Sequence, residues 1–379
     1  LGSQSTAVGY QALFSQNFST ATNTFNTAVG YNAGSSITTG DRNTIVGGSA
    51  GDALTTGAAN VAVGYLALSA DTKGASNVAI GRSALTAQNF TTGTDSFNVA
   101  VGDRAGTAVT TGLANNLIGG LAGDALTVGS YNQVLGVAAL SGDTKGSRAV
   151  AIGHGTLGAQ NFTTATDNYN IGIGHNAGLN VTTGIHNVLI GGQAGDALTD
   201  ADFNIAIGKG ALGTDTLGSS SIAIGEGALL NQNFTTATAV YNVAIGHAAG
   251  NQLTVGIANT AIGGLALDAA TVNNRNTAVG WSALSTFNNT STATSDNTAI
   301  GAAAGLSVTT GTTNTLVGAL TGGNLTTGGA NTIIGYNNNA SAADVAAEIV
   351  LGRNGAGSGA ATVTLCNGDT DAVLALDGS

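Results

Sequence analysis

His154, His175 and His247 each follow directly on a glycine within the same short motif, and His154 and His175 stand in successive copies of it. Imidazoles in adjacent copies could share a metal ion, more so where several chains converge. No ligand spacing of a known metal site accompanies them, so packed or solvated rings are expected. Asp52, Asp124, Asp196 and Asp268 recur every 72 residues, as do Asp71, Asp143 and Asp215. Members so far apart cannot share a proton or a cation, and they read as turn carboxylates. There is no Ser-His-Asp arrangement at useful spacing, no phosphate loop with its lysine, and Gly47-Gly48 and Gly119-Gly120 lack the rest of a calcium-binding nonapeptide. The expectation is a protein that is not an enzyme, with no metal and no cofactor.

The frame that carries these residues is a repeat. Asn-Thr/Val-Ala-Val/Ile-Gly returns with its glycine at 9, 30, 47, 64 and 81, spacings of 21, 17, 17 and 17, and the cycle restarts at 81, 153, 225 and 280, the fourth unit being one coil short. Such an array is one elongated body in which each unit touches its neighbours. Sixty Gly, no Pro and no Met argue against an ordinary enzyme core, while a 42% hydrophobic content argues against disorder.

Counting from each glycine, position −1 is Val, Ile or Leu in all nineteen copies, from Val8 to Ile334. With the strand period of two, positions −1 and −3 share a face, and the reading is a short strand whose −1 side chain faces a permanent interior. Position −2 is also apolar, as in Ala28, Ala62 and Ala100, with Ile45, Leu117, Leu189 and Leu316 as larger variants. A single solenoid offers one interior, so this second face is expected to pack on identical neighbours. A parallel homotrimer is inferred; a dimer would bury that face as well. Asn at −4 in sixteen copies predicts stacked amides bonded to one another and to the turn backbone, and Ala at +3 in sixteen marks a second short strand or corner. The fold class is therefore all-β: a parallel β-solenoid of about twenty coils over 1–340, with almost no helix, followed by a closing β-element over 341–379. At strand spacing the rod would be about 95 Å long.

Surface contacts are expected from two sets of aromatics. Tyr10, Tyr31, Tyr65, Trp281 and Tyr336 occupy position +1. Phe18, Phe90, Phe162 and Phe234 lie in the longer coils, each seven residues before Phe25, Phe97, Tyr169 or Tyr241, and read as protruding loops pinned by an aromatic pair. The fifth long coil has Asn289 and Asp296 at those places, with Phe287 nearby. Thr38, Thr55, Thr110, Thr127, Thr182 and Thr199 could align in part, which raises ice binding as an alternative.

A formal charge of −11 without a basic patch argues against nucleic acid and anionic membranes, and no apolar run approaches a membrane span. Cys366 is the one cysteine, so an interchain bond or a free thiol is its expected fate.

Asn26-Thr27-Ala28-Val29-Gly30-Tyr31-Asn32-Ala33 and Asn77-Val78-Ala79-Ile80-Gly81-Arg82-Ser83-Ala84 resemble the YadA-type head repeats of trimeric autotransporter adhesins, over residues 5 to about 340. The resemblance implies a left-handed parallel β-roll and side-by-side association of three chains. The same repeat occurs in long fibre proteins of tailed phages. No heptads follow the array, and the stretch after Gly335 is similar to the exit region of phage-type fibres. The expected function is a structural and adhesive fibre segment of the phage tail-fibre type, extracellular, at a cell surface or on a virion, with a cell-surface glycan or protein as receptor. The alternatives are a bacterial surface adhesin head, a polysaccharide-cleaving spike and an ice-binding solenoid.

Overall fold

A computed structural model describes residues 2–291, 294–368 and 371–375. The chain is an all-β parallel solenoid of about 21 turns, and no helix is present among the described residues. Contacts divide it into two compact units, Leu1–Asn187 and Val188–Ser379. In the first unit, ten three-residue strands from Thr6–Val8 to Ile171–Ile173 pair in sequence order, parallel and in register: Thr27 lies beside Thr44, Ala28 beside Ile45, and Val78 beside Val99. In the second unit the ladder runs from Val188–Ile190 to Thr362–Asn367, through Thr332–Tyr336 and Ile349–Arg353. Asp371–Ala375 then turns back antiparallel to the last of these strands. The parallel ladder thus passes through residue 340 and continues to Asn367.

The invariant glycine has a backbone cause. Gly30 has φ +140, a region closed to other residues, and a Cβ there would lie 2.5 Å from the carbonyl oxygen of Gly47 in the next coil. Stacked coils leave no room at this corner for a side chain.

Buried Asn side chains hold the preceding corner. The Asn26 amide donates to the Gly40 carbonyl at 2.8 Å, and its Oδ1 accepts from the Asn43 backbone N–H at 2.9 Å. Asn43 repeats the arrangement with Gly57 and Asn60. The amide ladder expected from the sequence is present, and it satisfies backbone groups that the turn leaves without a strand partner. At Glu348 a buried carboxylate stands in the Asn position: it accepts from the N–H groups of Ser341 and Gly359.

The strand faces are the reverse of the sequence expectation. Ala28, Ile45, Ala62, Ala79, Ala100 and Leu117 at −2 are fully buried, whereas position −1 is outward: Val29 is 36% exposed, Leu135 49% and Val8 56%. The alternation was legible, but its sense depends on volume. The interior of so narrow a coil is already occupied by residues from the opposite side, which leaves space for a methyl group at most −2 positions. Gly172 shows the limit, since a Cβ there would sit 2.5 Å from Thr156 Cγ2 and 3.0 Å from Leu157 Cγ.

Those opposite residues follow a reciprocal rule. Where position +4 is Gly, as at Gly34, Gly51, Gly106 and Gly123, position +7 is aliphatic: Ile37, Leu54, Val109 and Leu126, all fully buried. A Cβ on Gly34 would come 2.8 Å from Ile37 Cδ1. Where +4 is Leu, as at Leu68, Leu85, Leu140 and Leu157, position +7 is a buried polar residue, Asp71, Gln88, Asp143 and Gln160, except after Leu267 and Leu284, where it is Ala270 and Phe287. The large −2 residues Ile45, Leu117, Leu189 and Leu316 lie against glycines at +4, namely Gly51, Gly106, Gly123, Gly195, Gly305 and Gly322. Each buried leucine contributes roughly 1.5–3 kcal/mol, so one interior volume filled in alternating ways explains why the sequence repeats every four coils and not every one.

Candidate functional site

The recurrent carboxylates divide into two kinds. Asp71 is fully buried and saturated. Its Oδ1 accepts from the N–H groups of Gly74 and Phe90, both at 3.0 Å, and its Oδ2 accepts from Gln88 Nε2 at 2.7 Å. Gln88 Oε1 in turn accepts from Asn98 at 2.9 Å. Asp143 with Gln160, and Asp215 with Gln232, repeat this network. These groups tie each long coil to its predecessor and present no oxygen to a substrate.

Asp52, Asp124, Asp196 and Asp268 are the second kind. Burial raises the pKa of each above the usual carboxylate value, opposed by weaker hydrogen bonds from nearby backbone N–H groups. Asp124 and Asp268 each carry one buried Oδ1 without a hydrogen-bond partner.

Phe18, Phe90, Phe162 and Phe234 are only 6–8% exposed. This corrects their reading as surface contacts: each ring sits under its loop, where the backbone N–H of Phe90, Phe162 and Phe234 is held by the buried aspartate. Phe25, Phe97, Tyr169 and Tyr241 are the exposed members of those loops.

Tyr10, Tyr31, Tyr65, Trp281 and Tyr336 are exposed. Tyr10 and Tyr31 stack at 5.5 Å between centroids, as do His154 and His175 in the equivalent column. Elsewhere in this column are the ion pair Arg82–Asp103 at 2.8 Å, and Lys209, Glu226 and His247. The last three, with Gln193, Leu230 and Asn251, line a groove of about 360 Å³, opened by glycine at Gly210 and Gly227. A related hollow surrounds His154, Gly155, Asn176 and Leu179. Among the described residues no group of three or more His, Cys, Asp or Glu side chains is placed to hold a metal ion.

Two features escaped the sequence reading. Tyr131, Arg148, Tyr169 and His186 form a ladder, with the Arg148 guanidinium 5.0 Å from the Tyr131 ring and Tyr169 stacked on His186 at 5.4 Å. Arg148 also pairs with Asp167 at 3.0 Å. The signal was present at a fixed distance before each glycine, but stacking covers the ring faces and leaves edges outward. The turn threonines, which the sequence suggested could align in part, are bonded between coils: Thr38 Oγ1 donates to the Thr55 carbonyl, and Thr55 Oγ1 to that of Thr72.

Within each unit the strands share an outward face. From Thr6 to Ile334, positions −3 and −1 hold Thr, Val, Ile and one Leu, interrupted by Asn116 and Gln133; none of the 9 basic and 20 acidic residues falls in either column. Cys366 is buried, in the strand that pairs with Ile349–Arg353. Comparison with protein-family models, curated proteins and solved structures finds no match to this chain.

Proposed function

We propose that this chain is a segment of a structural and adhesive fibre, in which three copies associate side by side through the outward Thr, Val and Ile columns. The single observation that carries this reading is the uncharged, apolar outward strand face on a chain of net charge −11. Two copies of an acidic protein can approach closely only where charge has been kept away, and a partner with the same coil period can match the columns strand for strand. The stacked hydrogen bonds and filled interior favour a mechanical role, and the saturation of Asp71, Asp143 and Asp215 favours a structural over a catalytic use of the buried carboxylates. Together with the resemblance to YadA-type repeats, this supports a left-handed roll of 17- or 21-residue coils in an extracellular, cell-surface or virion fibre of the phage tail-fibre type. Exposed Tyr10, Tyr31, Tyr65, Trp281 and Tyr336 are its proposed contacts with a surface glycan or protein.

Light scattering together with electron microscopy tests the reading. The expected particle has the mass of three chains. Ile207→Asp, on the outward face, should release single chains that retain β-structure, whereas Ala206→Asp should disrupt the coil itself. A wild-type particle with the mass of one chain at all concentrations would remove the proposal.

A further inference from the structure

Asn116 and Gln133 are the only long polar side chains among the nineteen residues at −3, and Asn116 Nδ2 donates to Gln133 Oε1 at 2.6 Å. Leu135, in the same strand as Gln133, is the only Leu at −1 in those copies. Beside this pair the outward face dips into a shallow hollow of about 430 Å³ lined by Ile118, Val134, Leu135 and Ile152. Away from this place the face is nearly uniform, which creates a problem for self-association. Because the sequence repeats every 72 residues, two copies displaced by one whole unit, about 19 Å at strand spacing, would match almost as well as two copies in register.

We propose that the Asn116–Gln133 amide pair fixes the axial register of copies of this chain associated through the outward face. The inference rests on the self-association reading. The equivalent residues one unit earlier are Thr44 and Val61, and one unit later Val188 and Ile205. Only the in-register arrangement sets amides opposite amides about a common axis, where their remaining donors and acceptors find partners. A displacement by one unit buries them against Thr, Val or Ile, leaving polar groups unpaired. A polar side chain in an otherwise apolar interface selects register in the same way in coiled coils. The hollow beside the pair gives the longer Gln133 and Leu135 side chains of a second copy room at this height.

The test uses the full chain with Cys366→Ser and one reporter, Ile80→Cys, on the outward face in another coil. A 19 Å displacement puts paired cysteines far beyond disulfide reach. The reporter chain should form an interchain disulfide in high yield under mild oxidation. Adding Asn116→Val and Gln133→Ile, the residues of the following unit, should leave the particle mass unchanged by light scattering but lower the disulfide yield severalfold. An assembled double variant with unchanged yield would overturn the register assignment. A double variant that falls apart into single chains would also overturn it, because the pair would then supply affinity and not register. A reporter chain that is itself monomeric would overturn the self-association reading on which the inference rests.

Discussion

The long coils at Gln88, Gln160 and Gln232 and the one at Phe287 solve the same packing problem by different chemistry. In the first three, a buried aspartate at +7 of the preceding coil accepts from a glutamine, a phenylalanine N–H and its own turn. In the last, alanine (Ala270) replaces the aspartate, Phe287 replaces the glutamine, Asn289 replaces the phenylalanine, and Asn273 stands where the others have Gly74, Gly146 and Gly218. All of Ala270, Asn273 and Phe287 are fully buried, and Asn273 Nδ2 donates to the Asn289 carbonyl at 2.6 Å. The glycine is explained by the aspartate: a Cβ at Gly74 or Gly218 would collide with the carboxylate oxygen. The site therefore takes a carboxylate from one turn position or an amide from the next, never both. Four substitutions that look unrelated in sequence are one exchange of a polar clamp for an apolar plug.

The contrast can be broken most sharply at its apolar end. Phe287→Ala leaves a cavity in a fully buried position and should cost about 3–5 kcal/mol, read as a drop in urea midpoint. Asp215→Ala should cost about 3 kcal/mol, since the N–H groups of Gly218 and Phe234 and the Gln232 amide lose their acceptor together. Hydrogen exchange should then show the protection lost first at Phe234. If both solutions are interchangeable, Gly218→Asn alone destabilises by collision, but in combination with Asp215→Ala it should recover about 1 kcal/mol or more relative to the sum of the single variants. Strict additivity in that double-mutant cycle would show that the exchange is accidental.

The smallest effect separates the saturated aspartates from the partly buried ones. Asp52, Asp124, Asp196 and Asp268 have raised folded-state pKa values because burial penalises their charged form. The folded chain therefore takes up these protons before the unfolded chain does. Their charge penalises folding at neutral pH, and the penalty is relieved as pH falls from the raised values through the ordinary value of 3.8. Asp296 works in the other direction: its bond to Arg275 lowers its pKa, and that contribution is lost as pH falls through the lowered value. Changing the first four to Asn should raise the melting temperature at neutral pH and flatten its dependence as pH falls from neutral toward 3.8.

Much of this was legible from residue order. The glycine, the stacked asparagines and the alternation within Thr27–Val29 follow from local rules, because a backbone at φ +140 and an amide bonded to the neighbouring coil leave little choice of residue. The exposure of Tyr10 or Trp281 was legible in the same way, from the variety tolerated at that position. The burial of Phe18, Phe90, Phe162 and Phe234 was not, since an aromatic ring in a polar loop reads alike whether it lies under the loop or on it.

By itself, then, the sequence determined that coils stack in register, where each one turns and which residues share a strand face. Only the tertiary structure decided which face is inside. Alternation has a period but no sign; the sign is set by the volume left after residues such as Ile37, Leu68 and Leu85 have entered from across the coil, and that volume admits Ala28 while turning Val29 outward.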